Sequence, residues 1–99
     1  MEREPTTWIK LDRNILEWGW YKDPNTKSVF LHLLLTANVE DRVFKGETIH
    51  RGEVATSIGS IAESVGISYD QARTALKHLK DTTEITSKTM PKYLVISIV

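Results

Sequence analysis

The stretch from Ser57 to Lys80, SIGSIAESVGISYDQARTALKHLK, constrains the fold most, because apolar residues recur at helical spacing on both sides of a single glycine. The first helix would bury one face, formed by Ile58, Ile61, Ala62 and Val65. Gly66 would end this helix, since glycine readily adopts the left-handed conformation of a helix terminus. Ser68 and Gln71 form the capping-box pattern that opens a second helix. The stretch therefore predicts a helix-turn-helix.

The second predicted helix has an apolar stripe on one side and a polar face on the other. The stripe consists of Ala72, Ala75, Leu76 and Leu79. At about 100° per residue, the opposite side carries Asp70, Arg73, Thr74, Lys77 and Asp81, flanked by Gln71 and His78, and five of these suit base reading: Asp70, Gln71, Arg73, Thr74 and Lys77. A helix of ordinary width fits the major groove of B-form DNA, where polar side chains read base edges. We therefore predict that these five residues read bases, while a solvated surface helix is an equally good interpretation of the same pattern.

Two β-strand patterns follow the helix pair. Glu84 to Lys88 alternates with Ile85 inward, and Tyr93 to Val99 is a β-branched run, so the two segments predict a hairpin. A helix-turn-helix followed by a hairpin is typical of a winged helix. The predicted fold class is therefore mainly α with a small β-hairpin (α+β), a winged helix-turn-helix.

The same arrangement predicts contacts with the DNA backbone. The predicted phosphate contacts are Ser57, Ser60, Ser68, Tyr69, His78 and Lys80, and the predicted wing contacts are Lys88, Thr89 and Lys92. An ordinary surface turn with two lysines explains the wing residues equally well.

The residues before the helix pair predict a further helix of the same domain. Asp23 followed by Pro24 is typical of a helix start, and this helix should end near Ala37 or Asn38 with apolar residues nearly all around it. The aromatic segment from Trp8 to Tyr21 fits core packing better than a partner interface. The segment EDRVFKGETI reads as a charged loop with a turn at Gly46, followed by a short strand.

Length and composition fit one domain. We expect residues 1–7 to be a flexible arm and residues 8–99 to be the winged-helix domain, and the end of the chain within a strand pattern suggests part of a longer protein. The chain has no cysteine, no apolar run of membrane-spanning length and no signal-peptide pattern at its start. We therefore expect a cytoplasmic protein without a membrane partner.

The net charge of zero gives little support to DNA binding, which depends on neutralising phosphates. Residues 1–63 hold 8 Lys and Arg against 10 Asp and Glu, a balance of −2. Residues 64–99 hold 5 against 3, a balance of +2, so the predicted binding half is mildly basic.

Catalytic motifs are missing from the sequence. It contains no G-x-S-x-G, P-loop or H-E-x-x-H pattern, and His32, His50 and His78 are widely spaced without companion ligands. The sequence predicts that the protein is not an enzyme and uses no cofactor or metal.

Four segments together resemble the amino-terminal winged-helix domain of phage replisome-organiser and DnaD-like bacterial replication proteins. They are WIKLDRNILEWGWYKDPNTKSVFLHLLLTAN, IHRGEVATSIGSIAESVGISYDQARTALKHL, and EITSK with KYLVISIV. The resemblance covers residues 8–99, and RTALKHLKDTTEITSK is its most specific part. Such domains usually have glycine where this chain has Thr83, and often basic residues where it has Gly59 and Ser60.

The resemblance implies a double-stranded DNA-binding module of a phage or prophage replication initiation protein. It also implies a homo-oligomer and replication partners such as a helicase or helicase loader. Two alternatives stay open: the DNA-binding domain of a transcriptional regulator, and a winged helix used for protein–protein interaction and oligomerisation without DNA contact.

Overall fold

Three α-helices and five β-strands form the part of the chain that the computed structural model describes, residues 9–99. A 3-10 turn at Arg13–Glu17 comes first. The elements then follow as α1 (Pro24–Thr36), β1 (Arg42–Phe44), β2 (Glu47–Ile49), β3 (Glu53–Thr56), α2 (Ile58–Val65), α3 (Tyr69–Asp81), β4 (Ile85–Thr89) and β5 (Leu94–Ile98). The predicted arm, residues 1–7, lies outside the described residues, as does Trp8.

The helix ends follow the capping residues in the sequence. The carboxylate of Asp23 accepts a hydrogen bond from the Thr26 amide at 3.1 Å and so opens α1, with proline in its first turn. Gly66 ends α2 in the left-handed conformation, at a φ of 85°. Ser68 and Gln71 form the predicted capping box of α3. The two helices and the tight turn between them are therefore confirmed.

The predicted fold class, a mainly α winged helix-turn-helix with a small β-hairpin, is wrong. The described residues form a small α+β domain in which five strands belong to two antiparallel sheets. β1 and β2 make a two-stranded sheet, and the other three strands pair in the order β3-β5-β4. The expected two-stranded wing is therefore part of a larger sheet, in which β5 is the central strand.

The segment predicted as a charged loop causes much of this difference. Lys45 and Gly46 both have positive φ, 51° and 81°, which is the geometry of a two-residue hairpin turn between β1 and β2. In the two strands themselves only Ile49 is buried. Alternating apolar residues are the usual sign of a strand, and an exposed polar hairpin does not show them.

The core lies between the helices and one face of the three-stranded sheet. Its fully buried members include Val29, Leu33, Ile61, Leu79, Ile85 and Ile96. Ala72 and Ala75 of α3 are also buried, and such small residues allow helices to pack closely. This packing fixes α3 from below and leaves its outer side exposed.

Trp18 and Trp20 of the aromatic segment before α1 pack against this core, as the sequence predicted, whereas Arg13–Glu17 buries no residue. Trp18 lies 4.9 Å from the ring of Phe30, and Trp20 stacks on His78 at a ring distance of 4.1 Å. The indole nitrogen of Trp20 also donates a hydrogen bond to the Thr82 hydroxyl at 2.9 Å. The segment therefore contacts the end of α3. Nowhere in residues 9–99 is there a helix of the length and apolar character that a bilayer crossing requires.

Candidate nucleic-acid interface

The outermost line of α3, which we call the crest, carries both signs of charge. It consists of Asp70, Thr74, Lys77 and Asp81, all exposed. Lys77 donates from Nζ to Asp81 at 2.9 Å, a pairing of residues four apart on the helix. Asp70 lies in the first turn, where a negative charge interacts favourably with the helix dipole. The crest alone is therefore not strongly basic.

The flank of α3 that faces the sheet is basic. Arg73 and Lys80 are seven residues apart, so they share this flank at a separation along the axis of about 10.5 Å. Among residues 9–99, neither side chain has a carboxylate within ion-pair distance. We call this side the sheet-side flank.

A cleft of about 260 Å³ separates the sheet-side flank from β4. Its rim carries Arg73 and Lys80 from α3 and the hydroxyls of Ser87 and Thr89 from β4. Its floor is apolar and consists of Ile58, Leu76, Ile85, Leu94 and Ile96. We call it the basic cleft, since two cations border an apolar base.

The opposite flank of α3, the α1-side flank, borders an acidic depression of about 230 Å³. Asp23 and Asp70 are among its lining residues, and Arg and Lys are not. His78, a predicted phosphate contact, lies here with Nδ1 2.8 Å from the Thr26 hydroxyl and 3.6 Å from the Asp23 carboxylate. The histidine is therefore held between α1 and Trp20 and is only half-exposed.

Capping interactions occupy several of the predicted contact residues. Gln71 accepts a hydrogen bond from the Ser68 amide through Oε1, so its amino group is the part left to read a base. The Ser68 hydroxyl accepts one from the Gln71 amide, and the Ser57 hydroxyl accepts one from the Ser60 amide. Tyr69 is exposed next to this cap. These groups are committed to the helix starts before any phosphate approaches.

The three predicted wing residues do not lie together. Ile85 faces the core, so the alternation of β4 places Ser87 and Thr89 on the α3 side and Lys88 on the other side. Lys88 borders a different depression together with Glu53, behind the sheet. Lys92 lies at the tip of the β4-β5 turn beside Lys45 of the β1-β2 turn. Of the three, only Thr89 lies beside α3.

The side of the sheet away from α3 holds a polar cluster, which we call the hairpin clamp. The amide of Arg51 donates to Asp41 at 2.9 Å, and this bond, with His50 beside it, lowers the pKa of Asp41. The His50 amide and the Ser97 hydroxyl each donate to Glu53 at 2.8 Å and lower the pKa of Glu53. The Asp41 bond joins the start of the β1-β2 hairpin to the turn before β3, and the Glu53 bonds join β3 to that turn and to β5.

Sequence reasoning missed Ser87 and the convergence of Arg73 with Lys80. The signals were present, because a spacing of seven residues marks one helix flank and the inward Ile85 fixes which residues of β4 face α3. Across residues 9–99, no three metal-ligating side chains come together.

Compared with protein-family models, curated proteins and solved structures, the chain gives no significant match. The resemblance to replication proteins therefore stays a prediction.

Proposed function

We propose that this domain binds double-stranded DNA through α3, which enters the major groove tilted toward its sheet-side flank. The observation that carries the proposal is the basic flank itself, where Arg73 and Lys80 are exposed beside β4 without carboxylate partners in the described chain. The buried stripe under α3 supports it, since a helix held rigidly by its core side presents its outer residues at fixed positions.

Each residue has a role that follows from its chemistry. Arg73 suits a bidentate contact with guanine, and Thr74 suits a single hydrogen bond to a base edge. Lys77 would exchange its partner Asp81 for a base or phosphate on binding. Asp70 would accept from a cytosine amino group. Lys80 and Thr89 would contact phosphates along the sheet-side flank.

The tilt follows from charge. The acidic depression on the α1-side flank would repel a phosphate backbone, while the basic cleft attracts one. Lys88 and Lys92 contribute less in this orientation, because they lie behind the sheet and at its tip.

The setting that fits best is replication initiation in a phage or prophage, in the cytoplasm, on the strength of the resemblance stated above. A transcriptional regulator would use the same contacts. One helix reads only a few base pairs, so self-association or a replication partner such as a helicase loader would be needed for useful specificity.

Salt-dependent binding to short duplexes tests the proposal, measured by fluorescence anisotropy. Contact with about four phosphates predicts a log–log slope near −4. Lys80→Gln should reduce this slope by about one, while the matched control Lys45→Gln, at the β1-β2 turn, should leave it unchanged. Absence of binding at low salt, or equal effects of the two variants, would contradict the proposed interface.

A second candidate function, docking of a partner protein, rests on an apolar surface near the start of the described chain. Leu11 and Leu16 are 49% and 59% exposed. Leu11 lines a shallow depression with Trp18 and Phe30. Exposed apolar patches mark interaction sites. Light scattering of the wild type and of Leu16→Lys distinguishes docking from DNA binding. A wild-type oligomer that becomes a monomer in Leu16→Lys, together with no binding to DNA, would favour docking.

A further inference from the structure

We propose that the basic cleft holds a single unpaired nucleobase, so that this domain prefers duplex DNA with an unpaired nucleotide over a fully paired duplex. The inference rests on the proposed DNA-binding function and specifies the DNA structure that the same surface recognises.

The floor of the basic cleft has the chemistry of a site for a base face. Ile58 and Leu94 are only partly buried and give the floor its accessible apolar surface, above Leu76, Ile85 and Ile96, which are buried at 4%, 2% and 0% exposure. A paired base has its faces covered by its neighbours in the stack, whereas an unpaired base can turn out and bury its faces against protein. An apolar floor at the edge of a DNA-binding helix therefore favours a base that has left the stack.

The rim has the chemistry of a site for a base edge and for the phosphates that accompany it. Ser87 offers a hydroxyl, which donates or accepts and so adapts to different base edges. Arg73, on the same rim, would keep its contact with a paired guanine beside the unpaired nucleotide. Thr89, and Lys80 about 10.5 Å from Arg73 along the helix, are placed for the neighbouring phosphates.

The size of the cleft limits the occupant. Its volume of about 260 Å³ lies below the roughly 300–1,000 Å³ of sites that enclose drug-sized ligands. A single base fits such a space better than a stacked run of bases or the surface of a partner protein. The acidic depression on the other flank is of similar volume but carries Asp23 and Asp70, which do not attract a nucleotide.

Anisotropy with two matched DNA probes tests the inference: a short duplex, and the same duplex with one unpaired central nucleotide. The wild-type protein should bind the second probe at least about fivefold more tightly, because the cost of opening a base pair has already been met. Ser87→Leu fills the cleft from β4 and should bring the two affinities to within about twofold. Thr86→Leu adds the same side chain on the opposite face of β4 and should keep the preference.

Amide chemical shifts of the wild type give a second readout that does not depend on a variant's folding. Adding the probe with the unpaired nucleotide should perturb Ser87, Thr89 and Ile96 beyond the changes that the paired duplex causes. Equal affinity for the two probes with duplex binding intact would overturn the inference and leave the proposed function standing. A preference that survives in folded Ser87→Leu would also overturn it. Failure to bind either probe would refute both.

Discussion

The two flanks of α3 have similar depressions and opposite chemistry. The sheet-side flank has Arg73 and Lys80 above an apolar floor, whereas the α1-side flank has Asp23 and Asp70 around the half-buried His78. The chain as a whole is neutral, yet its charges are separated across one helix. A net charge of zero therefore does not argue against the proposed DNA binding, because the field at one flank decides what can approach that flank.

The flanks also differ in what occupies their side chains. On the α1-side flank, His78 is engaged by Trp20, Thr26 and Asp23, which connect α3 to α1 and to the segment before it. On the sheet-side flank the two cations have no such partners within the described residues. We infer that the first flank stabilises the fold and that the second is available for a ligand.

The largest expected effect is on stability, from the α1-side flank. Trp20→Ala removes the stacking on His78 and the hydrogen bond to Thr82, and should lower the free energy of unfolding by about 3 kcal/mol. Chemical denaturation measures this change. The folded fraction should keep its DNA affinity, and a parallel loss of affinity would break the division between the flanks.

The next effect is on binding, from the sheet-side flank. Arg73→Ala should weaken binding to a preferred site by about 2 kcal/mol and reduce discrimination between sequences, with little change in stability. Gln71→Glu is the matched probe of the other flank, because glutamate at this position preserves the capping box. If it weakens binding as much as Arg73→Ala does, α3 enters the groove symmetrically.

A smaller effect is expected where α3 meets β4. Thr83 has a φ of 64°, a conformation that is strained for a β-branched residue and natural for glycine. Thr83→Gly should raise the free energy of unfolding by about 1 kcal/mol, as a thermal melt would record. Thr82→Gly, one residue earlier at a φ of −98°, is the control and should destabilise the protein. A loss of stability in Thr83→Gly would contradict the inference that the backbone at Thr83 is strained.

The smallest effect concerns pH and the hairpin clamp, behind the sheet. The pKa values of Asp41 and Glu53 are lowered from 3.8 and 4.5 in the folded protein. Depressed carboxyl pKa values give stability that is present above the ordinary values and lost as the pH falls through the folded ones. The free energy of unfolding, measured from pH 6 to pH 2, should show this loss, and its decline should be less steep in Glu53→Gln. An equally steep decline in the wild type and in Glu53→Gln would exclude Glu53 as a cause.

Local signals were enough to predict the helices. Gly66 and the Ser68–Gln71 pair act within a few residues, so α2 ends and α3 begins where the sequence predicted. Ile85 and the β-branched run around Val95 likewise marked β4 and β5. Such features need no knowledge of distant contacts.

Pairing between distant segments was not predictable in the same way. β3 joins β5 across about 40 residues, and the exposed β1-β2 hairpin shows no apolar alternation, so the sheets and the fold class were misjudged. The predicted interface treated the polar face of α3 as uniform, because a helical wheel does not show which neighbour borders each side. His78 and Lys80, both expected at phosphates, are two residues apart and therefore about 200° apart around the helix, so they lie on opposite flanks.

Ala72 and Ala75, buried beneath α3, have a consequence for the surface above them. Because α1 and α2 pack against α3, the small size of these two side chains lets the three helices lie close together and so helps to fix where the outer residues of α3 stand. Chains that differ only at these hidden positions would hold identical outer residues at a different spacing. The arrangement of the side chains that a ligand would meet is thus governed in part from inside the protein.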